Sequence, residues 1–167
     1  MEIRKAQQQE LPELLTMYAN ARTFMAQHGN PNQWGTTDPP DERIVRDVAE
    51  GKSYVCTEKG RIAAVFFFDD GPDPTYHVIE EGEWLYNGPY CVVHRITSNG
   101  TVKGAASFCL AWALSQCRSL RIDTHEDNLV MQNLLKKNGF SYCGIIHVAN
   151  GSPRLAYQKM NPAKSGE

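Results

Sequence analysis

Apolar residues recur along this chain with two periods, and the switches between them mark out its elements. Between residues 9 and 27, Leu11, Leu14, Leu15, Tyr18, Ala21 and Met25 fall three or four apart, the spacing of one helix face. A shorter helix is predicted over 40–51, with Ile44, Val45 and Val48 inward and Asp41 and Glu42 at the positive end of its dipole. Residues 2–6 read as an opening strand, and 53–58 with 61–69 as a hairpin turning at Lys59-Gly60. Beyond the Asp70-Gly71-Pro72-Asp73-Pro74 turn, 76–80 reads as another short strand and 90–97 as a central one. A helix over 103–116 is expected to bury Ala105, Phe108, Cys109, Trp112 and Ala113, and 120–123 to form a strand. Asp127 or Asn128 caps a last helix that stops at Asn138-Gly139, and 140–148 with 154–159 close the chain as a hairpin. This order predicts a mixed α/β sheet with helices on both faces, one domain over 1–160, and a frayed tail over 161–167.

Composition narrows the function classes. With 41% hydrophobic and 22% charged residues among 167, the chain has the balance of a soluble globular domain. A net charge of −2 supplies no field for nucleic acid or an anionic membrane surface. No apolar run approaches the roughly 20 residues that span a bilayer, and no leader pattern opens the chain, so a cytoplasmic location is expected. The cysteines at 56, 91, 109, 117 and 143 are odd in number and sit in apolar runs. They read as buried thiols in a reducing compartment, neither a disulfide frame nor a zinc set. No metal is expected.

The chemistry concentrates in CVVHRITSNGTVKGAA, from Cys91 to Ala106. A β-branched strand breaks at Ser98-Asn99-Gly100, and Gly104-Ala105-Ala106 opens a helix with almost no side chain on its first turn. Such a turn leaves backbone N–H groups free and accessible, which makes an anion cradle. The order Lys103-Gly104, without a Gly-Lys-Ser/Thr triplet, argues against a nucleotide-binding P-loop.

These residues resemble the GNAT superfamily, the Gcn5-related N-acetyltransferases. The family's acetyl-CoA motif is matched by Thr101-Val102-Lys103-Gly104-Ala105-Ala106, with Thr in place of a leading Arg or Gln. ITSNGTVKG is similar to the histone-acetyltransferase branch. The run from Asn128 through Leu134-Leu135 to Gly139-Phe140 matches the later family motif. The resemblance implies a mostly antiparallel central sheet with two splayed strands and acetyl-CoA as co-substrate. It implies cofactor contacts from Ile96, Val102, Lys103, Gly104, Ala105, Ala106 and Asn128. The implied reaction is direct attack by a primary amine of a small molecule or peptide, with no covalent enzyme intermediate. A homodimer is also implied.

Two departures stand out. The family's general-acid Tyr position is Leu135, and the leading cation is absent at Thr101. A non-catalytic acyl-CoA-binding regulatory module is therefore the competing reading.

Individual residues carry alternatives. His94, in register with Val92 and Ile96, is either a general base or a histidine bonded within the sheet. Arg95 is expected on the opposite face, holding a carboxylate such as Glu80 or Asp123. His125 is expected to serve helix capping and loop hydrogen bonds. The resemblance implies an acceptor pocket built from the segment that holds Arg22 and Trp34, and Glu83 is a candidate contact for a cationic amine. The alternatives are a lid packed on the core for Trp34 and a solvated acidic turn for Glu83.

Overall fold

A computed structural model describes residues 1–164. The element order is β1 (Glu2–Lys5), α1 (Leu11–Gln27), α2 (Asp41–Ala49), β2 (Ser53–Glu58), β3 (Arg61–Asp70), β4 (Cys91–Ser98), α3 (Ala105–Ser115), β5 (Ser119–Thr124), α4 (Leu129–Lys137), β6 (Ser141–His147) and β7 (Pro153–Met160). The strands form one sheet in the order β1-β2-β3-β4-β5-β7-β6. Every neighbouring pair is antiparallel except β4 and β5. This is the mixed α/β sheet that the sequence predicts.

Alternation along the strands sends apolar side chains to two faces. On one face α3 packs Ala105, Cys109, Leu110 and Ala113 against Phe66, Val93 and Leu120, with Leu135 of α4 in the same core. On the other, α1 and α2 bury Leu14, Met17, Tyr18, Ile44 and Val48 over Val55 and Val65. The rest of that second face is covered by the segment 71–90, whose Tyr76 and Trp84 pack on Val92, Ile146 and Ala156.

The structure departs from the predicted elements in four places. Residues 76–80 form no strand: a 3-10 turn spans Pro74–Tyr76, and a lone bridge joins Glu80 to Ile145. The turn opened by Pro74 takes up the N–H groups of Tyr76 and His77, which bond the Asp73 and Pro74 carbonyls instead of a neighbouring strand. Val45 is exposed while Asp47 is buried, because Arg95 draws that carboxylate inward. Phe108 and Trp112 are only half-buried, and Leu110 and Leu114 occupy the core instead. The predicted tail does not fray at once. Asn161 is buried, its amide donating to the Leu114 and Cys117 carbonyls at 3.0 and 3.1 Å, and a 3-10 turn follows over Pro162–Lys164. Residues 165–167 of that tail lie outside the described residues.

All five cysteines are buried and free. Among the described residues, no helix is long and apolar enough to cross a membrane.

Candidate active site

β4 is irregular along both edges, and the site grows from that irregularity. On the β3 side the register slips: Val65 pairs with Thr97 but Phe67 with His94, so two residues of β4 stand opposite one of β3. Arg95, inside the bulge, takes the left-handed conformation at φ 53°. The Tyr18 hydroxyl of α1 donates to its carbonyl at 2.8 Å and fixes the distortion. On the other side β4 pairs with β5 only at Cys91 and Val92, after which the parallel strands part. From Val93 onward that edge of β4 opens its main-chain groups into a gap with no strand across it.

Two cavities meet at the gap. One, of about 490 Å³, is mostly apolar, bounded by Ala21, Phe24, Leu129, Val130 and Leu134 and by the end of β4 from Ile96 to Gly100. The other, of about 400 Å³, is polar and lined by Trp34, Asp38, Arg43, His94, Asp123 and Arg154 among others. Met25, Ile96, Asn128 and Met131 border both, so the cavities are two approaches to one point. Each is large enough for a small molecule.

At that point His94 lies between two carboxylates. Its Nε2 is 2.7 Å from Asp73 Oδ2, and its Nδ1 is 3.9 Å from Asp123 Oδ2. Burial pushes the Asp73 carboxyl up, but hydrogen bonds from His94 and Thr75 outweigh it and hold the group at about 2. Ionised, Asp73 can only accept, so Nε2 carries a proton whichever charge the ring bears, and in the neutral form the lone pair falls on Nδ1. The Asp123 oxygen facing Nδ1 accepts from the Tyr76 hydroxyl at 2.6 Å. Burial, then the Asp123 charge, push that phenol far above its ordinary range, so Tyr76 stays a donor.

Arg95 differs from expectation. Its partner is Asp47 of α2, at 3.0 Å from Nε and 2.9 Å from the terminal nitrogen, and neither Glu80 nor Asp123. The left-handed bulge interrupts the alternation that would have sent it away from His94, and both residues line the same polar cavity. Its guanidinium also lies 4.5 Å from the centre of the Phe67 ring.

The turn before α3 is built for close approach. Asn99 takes its place through its side chain, donating to the Ile62 carbonyl and accepting from the Thr101 N–H and hydroxyl. Gly104, the N-cap of α3, has φ 81°, and a Cβ there would meet no atom within 4 Å. The first-turn N–H groups at Ala105 and beyond therefore face outward past a bare backbone, with Lys103 exposed beside them. Val102 and Ala106 pack partly against the core, and Ala106 and Ile96 also line the apolar cavity. An anion-accepting helix start, an apolar cleft and an unpaired strand edge are what a phosphorylated, amide-containing thiol ester requires, so these residues fit acetyl-CoA. Asn128 caps α4: its Oδ1 accepts from the Met131 N–H at 3.0 Å, and its amide donates to Gln33 at 2.9 Å. Leu135 is fully buried, and the α4 side chains at the cleft are Leu129, Val130, Met131 and Leu134.

The three candidate acceptor residues separate. Trp34 lines the polar cavity and tilts against Tyr18 with ring centres 5.8 Å apart. Arg22 stands behind the wall, its guanidinium 3.5 and 3.4 Å from the carbonyls of Asp38 and Pro39. Glu83 is exposed on the segment before Trp84 and lines none of these cavities. His125 accepts from the Asp127 N–H, a loop-holding contact.

Sequence reasoning missed Asp73, Tyr76, Gln33 and Arg154 as site residues. In the sequence Asp73 is legible only as the head of a proline turn, 21 residues from His94.

Among solved structures the chain resembles a GNAT-family acetyltransferase from Streptococcus agalactiae, with 32% identity, a TM-score of 0.87, and 96% of this chain and 95% of that one covered. A GNAT-family acetyltransferase from Listeria monocytogenes shares the fold at 18% identity and a TM-score of 0.69, over 96% and 94% of the two chains. So does yncA from Salmonella typhimurium, solved with its cofactor acetyl-CoA, at 12% identity and a TM-score of 0.62 over 95% and 92%. No family profile and no curated protein sequence matches the chain.

Proposed function

The chain belongs to the GNAT family of acetyltransferases, and from that premise we propose that it transfers acetyl from acetyl-CoA to a primary amine by direct attack. The observation that carries the reading is the gap between β4 and β5, where an apolar and a polar cavity meet beside His94. Acetyl-CoA supplies an activated thioester whose thiol, with a pKa of about 8.5, leaves without a strong acid. The residues do the rest. Main-chain N–H groups of the turn leading into α3, from Val102 to Ala106, take the pyrophosphate, with Lys103 as an added cation. The free edge of β4 around Ile96 takes the pantetheine arm and directs an N–H at the acyl oxygen. Asn128 borders both cavities at the point where the arm would end.

His94 Nδ1 accepts the proton of the incoming ammonium, while Asp73 holds the ring's tautomer and stabilises its charged form. Trp34 is proposed as acceptor wall, Arg22 as the brace behind it, and Glu83 as a contact for acceptors that extend beyond the cavity. A second reading, an acyl-CoA-binding module without turnover, draws on the buried Leu135 where the family has Tyr.

Calorimetry with acetyl-CoA, followed by thiol release over a primary-amine panel, separates the two. Binding with turnover, and a loss of about 10²-fold or more in kcat for His94→Ala, supports the enzyme. Binding without turnover supports the module, and no binding removes the cofactor assignment.

A further inference from the structure

The polar cavity carries an unusual charge pattern, and it bears on the acceptor. Arg154 of β7 is only 7% exposed, yet its guanidinium meets neutral oxygens alone: Ser152 Oγ, the Pro153 carbonyl at 2.9 Å and the Gln33 carbonyl at 3.2 Å. Among the described residues it forms no ion pair with a carboxylate. Buried guanidinium groups are ordinarily matched by an anion, because little water remains to solvate them. Burial lowers the Arg154 pKa, with Asp123 and Asp38 opposing that from beyond contact distance.

Arg43 reaches the same cavity from α2. The carboxylate one helical turn on, Asp47, is in contact with Arg95 and feels Arg43 only through its charge, and Arg43 makes no carboxylate contact among the described residues. Register puts the opposite charge close by. Asp123 pairs directly with Ala156 across β5 and β7, so Asp123 and Arg154, two residues before Ala156 in β7, project from the same face of the sheet. The lining thus offers a buried, unmatched guanidinium at Arg154, an exposed one at Arg43, and carboxylates at Asp123 and Asp38, around His94.

We propose, resting on the acetyltransferase reading, that the acceptor is a zwitterion of amino-acid type. Asp123 and His94 receive its amine, and Arg43 and Arg154 receive its carboxylate. A polyamine would bring only positive charge to the two guanidinium groups, and an anion without an amine would meet the two carboxylates unmatched. A molecule carrying both charges a few atoms apart matches both pairs.

The test is a paired panel with acetyl-CoA and thiol-release detection: leucine, methionine, phenylalanine, glutamine and lysine, each beside the carboxylate-free amine left when its α-carboxylate is removed. The expected result is a kcat/KM for at least one amino acid about 10²-fold above its decarboxylated partner. Arg43→Gln, an exposed position that leaves the fold intact, should raise KM for that amino acid about 10-fold, with kcat little changed and the decarboxylated amine unaffected. Arg154→Lys, which keeps the charge, should retain more carboxylate preference than Arg154→Gln. Equal or better turnover of the decarboxylated amines overturns the zwitterion while leaving acetyl transfer standing. So does an Arg43→Gln effect that is the same for both members of a pair. Thiol release from no amine, with acetyl-CoA bound, overturns the acetyltransferase reading and this inference with it.

Discussion

Asp73 and His94 reach each other from a proline turn and a central strand, and the contact sets the chemistry of both. The imidazole gives Asp73 a donor that, with Thr75, keeps it ionised; the carboxylate gives His94 a fixed tautomer with Nδ1 free. Asp73→Asn replaces an acceptor with a group that can present N–H to Nε2 and turn the lone pair the wrong way. The expected loss in kcat is about 10²-fold or more, with acetyl-CoA affinity unchanged by calorimetry. The same pair leaves a signature in acid. Because the folded pKa of Asp73, about 2, lies below its ordinary 3.8, its stabilisation is complete above 3.8 and disappears as pH falls toward 2. Urea unfolding of the wild type and Asp73→Asn should therefore differ at pH 6 and converge near pH 2. A constant difference would mean the carboxylate is not ionised by its partners.

At the scale of elements, the site is a consequence of two strands that cannot stay paired. β4 leaves β5 after Val92, and the bulge at Arg95 bends its free edge toward α1, where Tyr18 holds it. The loop that follows must then deliver the chain into α3 with its helix start uncovered, and Gly104 meets that demand with a left-handed φ and no side chain. Gly104→Ala should cost about 1–2 kcal/mol of stability from backbone strain alone. It would also place a methyl group in the space through which an anion approaches the α3 N–H groups. Acetyl-CoA KM should rise by about 10-fold, while the acceptor KM stays put. An unchanged acetyl-CoA KM in the folded variant would remove the α3 terminus from the cofactor site.

Across the whole molecule, one side chain ties the two halves of the site together. Gln33, in the loop between α1 and α2, accepts through Oε1 from Asn30 and from the α4 cap Asn128, both at 2.9 Å, while its carbonyl accepts from Arg154. The loop thereby spans the gap and forms a wall of the polar cavity. Gln33→Ala strands two amide donors next to a cavity, at a cost of about 1–3 kcal/mol. Tm should fall by roughly 2–10 °C, and the acceptor KM should rise more than that of acetyl-CoA. A Tm within experimental error of the wild type would mean that the loop is held by Trp34 packing and the Arg154 bond to the Gln33 carbonyl.

The linear pattern by itself determined the helices, every strand except the one expected over 76–80, their layering on both faces of one sheet, and the glycine that opens α3. Periodicity and turn chemistry are local, and they act through neighbours three or four residues away. His94 was visible as a candidate from its alternation with Val92 and the resemblance to the histone-acetyltransferase branch. Ile96 does not share its face, because the bulge at Arg95 turns Ile96 into the core beside Val93. Only the tertiary structure decided its partners: Asp73 lies 21 residues earlier and Tyr76 bonds Asp123 across 47. It also decided that Arg95 pairs with Asp47, because a single left-handed residue breaks the two-residue rule from which its direction was inferred. The unmatched charge of Arg154 exists only where burial removes water and no carboxylate comes near enough, and burial is a property of the packed chain.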